Sequence, residues 1–228
     1  MLDDISELLD SAEPFKAFDL IEEGKPPLDI AKAYSGLIQK LYWEKKNIQH
    51  TILVANEAIN YCLDQSQSPP DEISAQLLQT AKIITYNLAS FAWPCWNEPG
   101  IEIGAHEQAA GLNAAHMTLR LARQLKKEGQ PIADSYWVLG AHYLAAGRYS
   151  KALEYFTYSR DISEACGNAE GTHLAEGYIG IAKAVEEDPT GTEELEQAMN
   201  HLKNVGTENA IFFANQLRDV AAFFDVAE

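Results

Sequence analysis

The sequence predicts an all-α fold of antiparallel helix pairs, and three observations carry the prediction. Apolar residues recur at helical spacing along nearly the whole chain, while alternating runs rich in Val, Ile and Thr are almost absent. Glycine- and proline-bearing breaks divide the helical stretches. The connections are short, so neighbouring helices run antiparallel.

Two short pieces come first. Leu2, Ile5, Leu8 and Leu9 share one helical face, and so do Phe15, Phe18 and Ile21. Gly24-Lys25-Pro26-Pro27 breaks the chain before a helix expected over about 29–43. The turn Glu44-Lys45-Lys46-Asn47 leads into a helix ending near Asp64. Gln65-Ser66-Gln67-Ser68-Pro69-Pro70 is a loop, since paired prolines do not continue a helix. Further helices are expected over about 71–92, 105–127, 131–146, 149–166, 169–187, 191–203 and 207–226. Breaks fall at Gly129-Gln130-Pro131, Gly147, Gly167, Asp188-Pro189-Thr190-Gly191 and Gly206. Thr190 and Glu193 have capping-box spacing.

The segment YWVLGAHYLAAGRYSKALEYFTYS, 136–159, has a readable internal logic. Small residues (Gly140, Ala152) let two antiparallel helices approach; Tyr143, Tyr149 and Phe156 fill the gaps beside them; Gly147 permits the turn. This pattern resembles a tetratricopeptide repeat, with Ser159 in place of the usual final alanine. Weaker copies carry Ala115, Leu119 and Ala122, then Ala198, Leu202 and Val205. Ile179-Gly180 follows Leu139-Gly140 at long period, and Tyr42, Thr51, Ala55 and Ala58 fit a degraded copy. The resemblance spans roughly 29–205 and implies a right-handed α-solenoid. One domain over 1–228 is expected, with an N-terminal helical extension at 1–27 and a capping helix at 207–228 rich in Phe212, Phe213, Leu217, Val220, Phe223 and Phe224.

FAWPCWNEPGIEIG, 91–104, interrupts the register. If Leu88-Ala89 corresponds to Leu139-Gly140, the partner helix should begin within about ten residues. Ala115, the match to Ala152, arrives twenty-six residues after Ala89. The segment 93–106 therefore reads as an insertion within one repeat, with Pro94 stopping the helix and Trp93 and Trp96 anchoring the loop, or serving as a lid over a groove.

Composition narrows the function. A net charge of −17 disfavours nucleic acid and anionic membranes. The basic run 120–127 suits a helix C-terminus. No apolar stretch is long enough to span a membrane, and the acidic N-terminus lacks the basic region of a signal peptide, so a cytoplasmic protein is expected. Cys62, Cys95 and Cys166 are too scattered for a disulfide framework. His106-Glu107 lacks the second histidine of a zincin motif, because position 110 is Ala. His50, His142, His173 and His201 read as surface or packing residues, and no metal or cofactor is expected. Asp188-Pro189-Thr190-Gly191-Thr192 reads as a helix-capping turn, and no nucleotide-binding or nucleophile-elbow motif occurs.

What remains is the groove that the resemblance implies. Mapped from the family, it is lined by Asp134, Trp137, Ala141, Leu144 and Ala145, then by Leu174 and Ile181 with Glu176 or Gly177. Trp137 reads equally as groove and as core. Relatives that clamp a peptide's C-terminal carboxylate use Lys and Asn where this chain has Trp137 and Ala141, so such a clamp is not expected. The expectation is a non-catalytic adaptor for a basic, amphipathic protein or peptide segment. The alternative is a sensor that takes a small molecule or short signalling peptide inside the coil. The C-terminal helix also offers a homodimer contact.

Overall fold

The computed structural model describes residues 2–67 and 72–226, less the side chains of residues 2–4 and 6. The Pro69-Pro70 break and the place of Leu2 on its helical face lie outside the described residues. The described residues form eleven α-helices and no strand. The short α1 (Leu2–Asp10) and α2 (Pro14–Glu22) precede α3 (Pro27–Trp43), α4 (Ile48–Gln65) and α5 (Glu72–Phe91). A 3-10 turn, Pro94–Trp96, separates α5 from α6 (Ala105–Gln124). Then come α7 (Gln130–Ala145), α8 (Tyr149–Ala165), α9 (Ala169–Val185), α10 (Thr190–Val205) and α11 (Glu208–Phe223).

The helix starts follow from local chemistry. Pro14 and Pro27 sit in first turns, where a missing N–H costs nothing. The side chains of Asn47, Asn168 and Thr207 each accept from a main-chain N–H three residues on. At α10 the expected capping box does not form. Asp188 caps instead: its Oδ1 accepts from both the N–H and the hydroxyl of Thr190, each at 2.9 Å. The aspartate two residues upstream reaches the free N–H first.

Each helix from α3 to α11 packs on the next, and the odd-numbered helices also touch in series: α3 on α5, α5 on α7, α7 on α9, α9 on α11. Two layers result, in a pattern consistent with a helical repeat. The α7–α8 pair shows why the small residues are needed. A Cβ on Gly140 would lie 2.8 Å from the Phe156 ring, and Leu139, Tyr143, Ala152, Phe156 and Ser159 are all buried. In the α9–α10 pair the backbones themselves meet: a Cβ on Gly180 would fall 2.6 Å from the nitrogen of Leu195. The corresponding residues Thr51, Ala55, Ala58, Ala115, Leu119, Ala122, Ala198 and Leu202 are buried as well, whereas Val205 is exposed. At the N-terminal end, Ile5, Leu9, Phe18 and Ile21 are buried, and the Tyr34 hydroxyl donates to Glu22 at 2.6 Å, tying α3 to α2.

Candidate binding groove

A cavity of about 870 Å³ runs along the odd-numbered layer. Its walls include Tyr42 and Trp43 of α3, Tyr86 and Phe91 of α5, Trp96, Asp134 and Trp137 of α7, Leu174 of α9, and Phe213 and Gln216 of α11. The side chains are mainly aromatic and aliphatic, as in sites that take apolar ligand groups.

The 91–104 segment is built into one wall. Trp93 is buried and donates its indole N–H to the carbonyl of Ala141 at 2.8 Å. Trp96 donates its own to the carbonyl of Ser90 at 2.8 Å. The Lys46 ammonium meets the Glu98 carboxylate at 2.6 Å, pinning the loop to the α3–α4 turn. Trp93 and Trp96 cross edge-to-face with ring centres 4.8 Å apart, and Trp137 meets Tyr178 in the same way at 5.4 Å. α11 closes on the 3-10 turn from the far end of the chain.

Of the residues expected in the groove, Asp134, Trp137 and Leu174 line this cavity. Ala141, Leu144 and Ile181 do not: each is at most 1% exposed, in the core. The half-buried Ala145 is not part of the lining either. Trp93 takes the main-chain carbonyl of Ala141 and is itself buried. Trp93 is therefore a core residue rather than a lid, while Trp96 does line the cavity. The sequence reading missed Gln130, Asn168 and Tyr86 in the lining. Gln130 lies one helical turn before Asp134, a spacing visible in the sequence, although the glycine and proline around it mark 129–131 as a break.

These residues form a polar corner in an apolar wall. Gln130 Nε2 donates to Asp134 Oδ1 at 2.7 Å, and Gln130 Oε1 accepts from Asn168 Nδ2 at 2.8 Å and from the Ser163 hydroxyl at 3.1 Å. Burial pushes the Asp134 carboxyl above the usual range, against the pull of the Gln130 hydrogen bond and the Lys82 charge. Burial likewise pulls the Lys82 ammonium down, and its Nζ lies 5.4 Å over the Tyr86 ring. The Trp137 indole Nε1 is buried in the cavity wall with no hydrogen-bond partner among the described residues, an arrangement that costs free energy. Cys95 also lines the cavity, but burial raises its thiol well above the ordinary value, so it stays protonated and acts as a small apolar group.

The corner thus combines one carboxylate, one unpaired N–H donor and aromatic walls. That set suits recognition of a segment carrying a cation, a carbonyl oxygen and an apolar side chain. No protein-family model matches this chain, and no curated protein matches it either.

Proposed function

We propose that this protein is a non-catalytic adaptor of the tetratricopeptide type, a right-handed solenoid working in the cytoplasm. On this reading it binds an extended peptide or an amphipathic helix of basic character. The observation that carries the reading is the unpartnered Trp137 indole N–H in a cavity wall beside Asp134. A docked main-chain carbonyl accepts from Trp137, a lysine or arginine pairs with Asp134, and apolar side chains cover Trp96, Leu174 and Phe213. The net charge of −17 favours basic over acidic segments. The test is binding of fluorescent peptides graded in charge and amphipathicity to wild type and to Trp137→Phe, which keeps an aromatic ring but removes the N–H. Tighter binding of basic amphipathic peptides, weakened in the variant, supports the reading; charge-independent or unchanged binding counts against it.

A second reading rests on the closure of α11 onto the 3-10 turn. The cavity volume of about 870 Å³ falls in the range of small-molecule sites. A small molecule or short signalling peptide held there would raise the melting temperature with no protein partner present. Exposed Ile211, Phe212 and Phe223 on α11 keep a homodimer within the proposal, and light scattering reads it directly.

A further inference from the structure

We infer that His173, Glu176 and His201 form a site for a divalent transition ion of the zinc class, away from the groove. His173 and Glu176 lie three residues apart on one face of α9, and the antiparallel α10 brings in His201. Each offers a ligand atom, and the three atoms lie within 4.8 Å of one another. His173 Nδ1 is 2.8 Å from Glu176 Oε2, and the two imidazole rings are centred 4.7 Å apart.

The helices behind the ligands are held in register, because at Gly180 and Gly191 the α9 and α10 backbones leave no room for a side chain. One turn before His173, the Glu170 carboxylate is engaged by Thr207 and Asn209 at the start of α11, which leaves Glu176 as the available carboxylate. His201 is exposed, and its ring lies against that of His173. His173, His201, Asn204 and Val205 line a shallow hollow over the cluster.

Two imidazoles and one carboxylate are the donor set of a borderline ion such as Zn²⁺, whereas Ca²⁺ and Mg²⁺ take oxygen ligands. The ion takes the place of the proton between His173 Nδ1 and Glu176, and the imidazole keeps its proton on Nε2. His201 supplies the third ligand and water the fourth. The ion then clamps α9 to α10 beside the base of α11. Sequence spacing alone hid this, because His201 comes from a different helix.

Calorimetric titration of the full chain with Zn²⁺ tests the site, with Co²⁺ as a spectroscopic probe of the same ligands. The expected result is one ion per chain, with affinity lowered about tenfold or more in both His201→Ala and Glu176→Gln. His106→Ala, on α6, leaves it unchanged. Co²⁺ absorption and the Zn²⁺-dependent rise in melting temperature disappear in His201→Ala. No saturable uptake, or equal affinity in wild type and His201→Ala, overturns the inference; the exposure of His201 keeps that variant folded.

Discussion

Trp93 donates its indole N–H to the main-chain carbonyl of Ala141 across 2.8 Å, joining the loop after α5 to the middle of α7. Before that carbonyl on α7, Asp134 and Trp137 line the cavity; at and beyond it, Ala141 and Leu144 are buried and Ala145 is half-buried off the lining. The segment after α5 is thus tied into the wall beside this stretch of α7.

Replacing Trp93 with Phe removes the donor and part of a buried ring. The Ala141 carbonyl loses its side-chain partner and the core gains a void, so the variant should be about 2–3 kcal/mol less stable. Trp96→Phe, at a half-buried position, should cost less. Urea denaturation of both variants checks the order.

Two glycines should respond in opposite directions. Gly36 is exposed within α3, and a Cβ there meets nothing within 4 Å, so Gly36→Ala should stabilise by about 0.5–1 kcal/mol. At Gly180 a Cβ would press on backbone atoms of Leu195 and Gly191, at 2.6 and 2.8 Å, rather than on the end of a flexible side chain. Gly180→Ala should destabilise by about 1–3 kcal/mol. Thermal melts of the pair read both signs.

The helices were legible in the sequence because helical periodicity and Gly or Pro breaks are local signals. The buried small–large pairing of Gly140 with Phe156 was legible for the same reason, since close helix approach constrains residue size. The groove was only half legible. Asp134, Trp137 and Leu174, named from the resemblance, line the cavity, whereas Ala141, Leu144 and Ile181 are buried outside it, a difference that helical spacing alone does not contain. The polar corner of Gln130 and Asn168 depends on two helix starts meeting in space, which one-dimensional spacing does not contain.

Stability should depend on pH through His142. This side chain is buried and donates from Nε2 to the Ala89 carbonyl at 2.8 Å. Burial lowers its pKa from 6.5 to about 4, against the raising effect of that hydrogen bond. The unfolded chain therefore takes up a proton below its own pKa near 6.5, and the folded chain does not until about 4. The contribution is full above the unfolded pKa and falls away as the pH drops to the folded one, by about 3 kcal/mol. Asp134 and Glu57, whose carboxyls are raised by burial, act in the opposite sense. The measurement is the difference in denaturation free energy between wild type and His142→Gln from pH 7 to pH 4. It should shrink as the pH falls.

The proposed adaptor role depends on Trp137 and Asp134 as the binding surface. Its most direct test is the affinity of one basic amphipathic peptide, selected on wild type, for Trp137→Ala and Asp134→Asn at low and high salt. Trp137→Ala should cost about 2–4 kcal/mol at either salt concentration. Asp134→Asn should weaken binding and reduce its salt dependence, because it removes the charge partner at the cavity wall. A peptide bound equally well by wild type and both variants would contradict the account.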